Sequence, residues 1–491
     1  MRHRVPSLLL LVAVSCPLPR AVGAEERKAD VTLGVRLLAE GDALADKHET
    51  TEAVLRYKQA FEHILPAMRK LPFKNEVPRD VTPRAELGDY LRREIDREMP
   101  PEEFRANELG MKALGLLPRE VDLKATQIKL LTEQIAAFYD TRTKTMHLIQ
   151  EPEAEAKKTP SFLERLLGQA GGFDKDENKG VIAHELTHAL ADQNFDIEAL
   201  QDATKGDDDR TAALVALVEG EAFLTMMGAQ LRDWDGTETA KLPAEDLDRA
   251  MRFMGPVMGI LGGASLRDVP PILSESLMFS YLRGIVFCAH LTNRGGWAAL
   301  DAAYREPPLS TEQILHPEKY RTKPDAPLAI DLGRLDPGPG WTEVVRNVVG
   351  EMQLGVLLRR HGGKPAAAGW DGDTFAAFEG PDQRLGLVWL STWDTEADAR
   401  EFAAAYARFQ TTKLGPDEPE PKDDPAALRR THDGSVYAVA RRGLDVAVVE
   451  GFPGPLTDTL LAAAFEAKKA EKTHAPVAKA QEDGEREKAE K

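Results

Sequence analysis

The sequence predicts an α+β protein that is mainly helical and has more than one domain. Its 491 residues exceed the length of most single domains, and 42% are hydrophobic, which is enough for a substantial core. Helical spacing of apolar residues dominates the first two thirds of the chain, interrupted by one predicted β-hairpin. After about residue 325 the pattern changes to predicted strands that alternate with helices.

The N-terminus has the three parts of a secretory signal peptide. Residues 2–4 are basic, residues 8–14 form an apolar run too short to span a bilayer, and residues 22–24 are small and suited to cleavage. We therefore predict a signal peptide over 1–24 and an exported protein that is periplasmic, secreted or envelope-associated. An N-terminal core helix is disfavoured by the basic start. A lipid anchor at Cys16 remains an open alternative.

The composition is acidic and nearly free of cysteine. The chain has 63 Lys plus Arg against 81 Asp plus Glu, a formal net charge of -18, so we predict no nucleic-acid partner. The two cysteines are Cys16 and Cys288, and Cys16 lies in the predicted signal peptide. The mature chain would keep one thiol, which excludes an intrachain disulfide and a cysteine-based zinc site.

Residues 25–80 are predicted as an N-terminal helical hairpin. Apolar residues such as Leu37, Tyr57 and Phe61 recur at helical spacing. The second half, with Pro66 near its end, resembles one tetratricopeptide (TPR) unit. One such unit cannot bury its own apolar face, and no second copy follows. We therefore expect a helical pair that packs on the main domain.

Residues 81–325 are predicted as the main domain, and residues around 84–137 and up to about 320 as mostly helical. Aromatic and β-branched residues around a polar turn predict the hairpin at 138–149, and a polar loop is predicted at 151–180. The apolar, Met-rich run at 251–261 is more typical of a buried, kinked helix than of a membrane contact. No stable membrane span is expected.

Residues 326–467 are predicted as a C-terminal α+β accessory module, which begins after a Pro- and Gly-containing linker. Two strand-strand-helix units make up this prediction: strands at 374–378 and 385–390 with a helix at 397–409, then strands at 436–439 and 444–449 with a helix at 456–467. Residues 468–491 are mostly Lys, Glu and Ala and are predicted as a disordered charged tail.

One short segment has the spacing of a metal site. In His184-Glu185-Leu186-Thr187-His188 the two histidines are four residues apart, so on a helix both imidazoles project from one face and can bind one ion. Glu185 lies beside the first ligand, where it can take a proton from a zinc-bound water. Apolar residues flank the motif, which favours a half-buried helix and a zinc metallopeptidase.

A third protein ligand is needed to complete a catalytic zinc site, and a glutamate on an adjacent helix is one known solution. Residues 213–222 predict a largely apolar helix that carries Glu219 and Glu221. Because these two residues point to different faces of a helix, only one of them is expected to face the metal. The spacing alone leaves the choice open.

These residues resemble the gluzincins, the thermolysin-like class of zinc peptidases, over roughly residues 130–230. The resemblance implies a zincin-like fold, one Zn²⁺ per chain and hydrolysis of peptide bonds. In such families the ligand glutamate often begins a Glu-x-x-Ala-Asp stretch, and Glu219-Gly220-Glu221-Ala222 matches its first four places. The resemblance therefore implies that Glu219 is the third ligand and Glu185 the general base.

One departure from this pattern concerns the carboxylate that usually orients a ligand imidazole. The fifth place of the stretch is Phe223 in this chain, where an aspartate is usual. Asp192, one turn after His188, and Glu221 are the predicted substitutes.

The chain also resembles a group of uncharacterised bacterial putative metallopeptidases, through Gln134–Asp140 and Ser310–Pro317. A tetrahedral oxyanion needs a donor besides the metal. His316, in the second of these segments, is our predicted catalytic donor, with Tyr320 and Tyr139 as alternatives.

The predicted partner is therefore a peptide or protein substrate, and the sequence does not indicate an oligomeric state. The alternatives are a non-catalytic zincin-fold protein that binds peptide, and an envelope interaction protein that uses its N-terminal hairpin and C-terminal module as docking surfaces. An intact Glu185 disfavours the first of these alternatives.

Overall fold

The computed structural model describes residues 24–135, 137–150, 175–261, 269–415 and 427–474. The protein is a mixed α+β structure in which helices predominate, as the sequence predicts. The predicted signal peptide with Cys16, most of the loop at 151–180 and most of the charged tail lie outside the described residues.

The described helices are α1 Ala24–Ala45, α2 Thr50–Arg69, α3 Arg84–Glu98, α4 Pro101–Leu114, α5 Leu123–Gln134, α6 Lys175–Phe195, α7 Ile197–Asp202, α8 Asp208–Gln230, α9 Ala244–Leu261, α10 Pro271–Arg305, α11 Thr311–Leu315, α12 Pro317–Arg321, α13 Gly350–Leu357, α14 Glu396–Leu414 and α15 Gly454–Phe465. The strands are β1 Arg79–Pro83, β2 Ala137–Asp140, β3 Thr145–Gln150, β4 Leu328–Asp331, β5 Thr342–Asn347, β6 Trp370–Glu379, β7 Leu385–Trp393, β8 Ala427–His432, β9 Ser435–Arg442, β10 Asp445–Phe452 and β11 Lys468–Glu471.

Helices α1 and α2 form the helical pair expected at the N-terminus. The buried face of α2 includes Tyr57, Phe61 and Ile64, which repeat at helical spacing. Glycine lets the two helices approach closely, because a Cβ at Gly41 would lie 2.6 Å from the Tyr57 ring. Helix α2 also packs on α6, so the pair is attached to the helix that carries the His-Glu-x-x-His motif.

A three-stranded sheet in the order β1-β3-β2 lies beside α6. Strands β2 and β3 form the antiparallel hairpin predicted around residues 138–149, with Tyr139 opposite Met146. Strand β1 pairs with β3 in parallel and was not predicted, because its five residues include polar Arg79 and Asp80 and lack a clear alternation. Strand β2 is thus an outer strand, and it packs against α6.

Helices α8 and α10 cross in the middle of the core at a pair of glycines. A Cβ on Gly220 would lie 2.2 Å from the carbonyl carbon of Gly284, so the two backbones touch where glycine permits it. By length and composition both helices are apolar enough to cross a membrane, and most of each is buried inside the protein.

The C-terminal part contains a six-stranded antiparallel sheet in the order β5-β6-β7-β10-β9-β8. Both predicted strand-strand-helix units are present, as β6-β7-α14 and β9-β10-α15, and β5 and β8 add the two edges. One hydrophobic cluster runs from the N-terminal helices through α6, α8 and α10 to this sheet. A second, smaller cluster lies between the sheet and α15. The sheet therefore shares its larger core with the helices.

The prediction that disorder begins at residue 468 is wrong for the first residues of that segment. Residues 468–471 form β11, which pairs antiparallel with β4, and Lys472 Nζ lies 2.6 Å from Asp207 Oδ2. Backbone pairing does not require apolar side chains, so a charged composition did not reveal this strand.

Candidate metal centre

The His-Glu-x-x-His motif lies in the middle of α6, as its spacing predicts. Ile182, Ala183 and Leu186 are buried in the core, and α6 extends without interruption from Lys175 to Phe195. This burial fixes the rotation of the helix about its axis. His184 and His188 consequently project toward α8 on the same side of α6.

Glu219 of α8 meets both imidazoles. His184 Nε2 lies 3.0 Å from His188 Nε2 and 3.2 Å from Glu219 Oε2, and His188 Nε2 lies 3.6 Å from the same oxygen. Within the described part of the chain, no other group of three His, Cys, Asp or Glu side chains brings its ligand atoms this close together. The three residues, called the triad below, are those that the sequence predicted as metal ligands.

The triad fits a zinc ion. Two imidazole nitrogens and a carboxylate oxygen are common zinc donors, and at bond lengths of about 2.0–2.1 Å the ligands of a tetrahedral ion lie about 3.3 Å apart. The three measured separations, 3.0, 3.2 and 3.6 Å, agree with that value. His184 is 2% exposed, whereas the side chains of His188 and Glu219 are 12% and 21% exposed. An ion bound by the triad would therefore have an exposed side, as the open position of a catalytic site requires.

The triad is electrostatically coupled. Burial lowers the pKa of His188, but the neighbouring Glu219 carboxylate outweighs burial and raises the pKa to about 9. Burial acts in the opposite sense on Glu219, and the two imidazoles hold its pKa well below the ordinary range. Both shifts favour an imidazolium–carboxylate pair in the metal-free triad, so a metal that binds here would have to displace a proton.

Glu185 lies next to the triad and is 4% exposed. Burial raises the pKa of its carboxyl group, while the two neighbouring imidazoles act in the opposite direction. The backbone N–H of Tyr139 in β2 faces this carboxylate and favours its charged form. A carboxyl group with a raised pKa is suited to proton transfer.

The structure distinguishes the two candidate glutamates of α8. Glu221 is 1% exposed and accepts hydrogen bonds from Arg69 Nε and the Tyr304 hydroxyl. Arg69 is also fully buried, and its Nη2 donates to Asp301 at 2.9 Å. Glu221 thus belongs to a buried ion-pair network with α2 and α10, on a different side of α8 from Glu219.

Tyr281 of α10 places a hydroxyl beside the triad that the sequence did not predict. Its O–H donates to the Glu219 carboxylate, and its ring lies 6.0 Å from the His184 ring. The sequence signal was weak, because a tyrosine in an apolar helix is common and its polar end can meet many partners.

Neither predicted substitute for the missing aspartate contacts an imidazole. Asp192 accepts from the Tyr139 hydroxyl at 2.9 Å and from the backbone N–H of Ile197 at 3.1 Å, and Glu221 lies in the Arg69 network. Among the described residues, the buried His184 Nδ1 has no hydrogen-bond partner. The contacts of its ring with Glu219, His188 and Tyr281 hold this imidazole instead.

His316 directly follows α11, and its hydrogen-bond partner lies outside the triad. Its Nε2 lies 3.0 Å from Glu351 Oε1, and this carboxylate raises the pKa of the imidazole. Tyr320 donates its hydroxyl to the backbone oxygen of Glu306 at 2.6 Å. The oxyanion role of His316 stays a prediction, and Tyr281 is a further candidate.

The glycine pair should control the position of Glu219. Gly220→Ala would insert a Cβ against the Gly284 backbone, so we expect the free energy of unfolding to fall by about 2–3 kcal/mol and zinc affinity to decrease. Urea denaturation and metal titration measure both effects. Gly355→Ala is the matched control, because this helical glycine has its nearest neighbour, Lys364 Cγ, 3.6 Å from the new Cβ. Equal effects of the two substitutions would contradict a specific role for the crossing.

One family model, described as "Domain of unknown function (DUF8575)", matches residues 339–461. The match begins just before β5 and ends within α15, and it includes none of the triad residues. No curated protein and no solved structure gave a significant match to the chain.

Proposed function

We propose that this protein is an exported zinc-dependent peptidase of the gluzincin type, built on a zincin-like domain. The observation that carries this proposal is the set of separations between the donor atoms of His184, His188 and Glu219, which suit tetrahedral zinc, with buried Glu185 beside them. The signal-peptide pattern of the first 24 residues supports export.

A zinc ion bound by the triad would polarise the scissile carbonyl group and lower the pKa of a water molecule. Glu185 takes the proton from that water and delivers it to the leaving amine, for which its raised pKa is suitable. The Tyr281 hydroxyl, which donates to Glu219 in the metal-free protein, would turn from that carboxylate to donate to the oxyanion that develops at the carbonyl oxygen.

Strand β2 supports a peptide as the substrate. It is an outer strand of its sheet, and the Tyr139 N–H points away from β3 toward the Glu185 carboxylate. An extended peptide can pair with such an edge through main-chain hydrogen bonds, and it would then compete with Glu185 for the Tyr139 N–H. The six-stranded C-terminal sheet then serves as an accessory part of the enzyme, and its shared core with the helices supports a fixed attachment.

A metal assay combined with a peptide digest tests the proposal. The purified protein is expected to contain one zinc per chain and to cleave members of a proteome-derived peptide library, read by mass spectrometry, in a reaction that a chelator stops and added zinc restores. Zinc without cleavage would favour the non-catalytic peptide-binding protein. Absence of stoichiometric zinc would refute the metal site and favour the interaction protein.

A further inference from the structure

Strand β2 is attached to α6 at two points through one residue. The backbone N–H of Tyr139 faces away from β3, because Met146 opposite it donates to the Pro78 carbonyl oxygen instead, and it lies beside the Glu185 carboxylate. The phenol O–H of Tyr139 donates to Asp192 Oδ2 at 2.9 Å. Glu185 and Asp192 are seven residues apart, so they lie on the same face of α6, about 10 Å from each other. Tyr139 therefore spans two turns of the helix that carries the metal ligands.

Asp192 is a rigid attachment point. Its side chain is fully buried and lies 3.0 Å from Lys144 Nζ, in the turn between β2 and β3. It also accepts from the backbone N–H of Ile197, the first residue of α7, at 3.1 Å. A buried carboxylate with three partners on different segments has little freedom to move. The contact with Tyr139 consequently relates the whole hairpin to α6.

We propose that Tyr139 is a positioning residue for Glu185. Its hydroxyl, hydrogen-bonded to Asp192, fixes the position of β2 along the axis of α6. The backbone N–H of residue 139 is thereby kept beside the Glu185 carboxylate. This inference rests on the proposed peptidase activity. A general base works efficiently only when its carboxylate is held in the reactive orientation, and a displacement of about 1 Å can cost 10²-fold in rate.

Tyr139→Phe tests the proposal against a matched control, Tyr90 of α3, whose hydroxyl contacts the same strand. Tyr90→Phe also removes one phenol hydroxyl that donates to a carboxylate, here Asp140 Oδ2 at 2.9 Å, the next residue of β2. We expect Tyr139→Phe to lower kcat by about 10-fold to 100-fold, with KM and zinc content unchanged. Tyr90→Phe should keep kcat within about twofold. Both variants should lose a similar, small amount of thermal stability.

Hydrogen exchange of the backbone amide of residue 139, measured in the metal-free protein, tests this contact without requiring enzymatic activity. The exchange should become faster in Tyr139→Phe and in Glu185→Ala, and stay unchanged in Tyr90→Phe. Unchanged exchange in Tyr139→Phe, or equal losses of kcat in Tyr139→Phe and Tyr90→Phe, would overturn the positioning role. Absence of turnover in the wild-type protein would refute the peptidase itself, while the exchange would still report whether the hydroxyl maintains the contact.

Discussion

Replacing Glu185 with glutamine is expected to lower kcat for peptide hydrolysis by about 10³-fold or more while one zinc per chain stays bound. Glutamine has the same shape and can still accept the Tyr139 N–H through its amide oxygen. It cannot take up a proton from water, so the proton transfer is lost and the metal ligands remain. Turnover measurements and elemental analysis of the same preparation test both parts.

Glu238→Gln is the control for this substitution, because the Glu238 side chain is 75% exposed and pairs with Lys241 on the surface. Its activity and zinc content should equal those of the wild-type protein. If Glu185→Gln hydrolyses peptides as fast as this control, Glu185 is not the general base and the proposed mechanism fails.

Substitutions of the two glutamates of α8 should have different effects. The change at Glu219 should reduce metal binding, and the change at Glu221 should reduce stability. Glu219→Gln removes a proposed metal ligand, so we expect zinc content to fall from one per chain to near zero while the fold is kept. Glu221→Gln takes away the negative charge that neutralises buried Arg69, which should cost about 3 kcal/mol of unfolding free energy. Zinc stoichiometry and urea denaturation of both variants separate the roles.

Each variant is the control of the other, because the chemical change is identical and the positions are two residues apart. Equal zinc contents in the two variants would contradict the assignment of Glu219 as the ligand. Equal unfolding free energies would contradict the structural role of Glu221.

The sequence predicted those features that depend on neighbours along the chain. The helical hairpin α1–α2, the β2–β3 hairpin and the two strand-strand-helix units follow from local periodicity and turn residues, and they are present. Strands β1, β4, β5, β8 and β11 were not predicted. Short polar strands such as β1 and β11 are stabilised by partners distant in the sequence. Tyr281 was missed for a similar reason, since its partner Glu219 lies on another helix.

By itself, the sequence determined that His184 and His188 share one face of a helix with Glu185 beside them, because helical spacing is a local property. Only the tertiary structure decided which glutamate of α8 meets these imidazoles. The rotation of α8 about its axis is set by contacts with other helices, namely the Gly220–Gly284 crossing and the ion pair of Glu221 with Arg69. These contacts join residues far apart in the chain, and they turn Glu219 toward the two histidines.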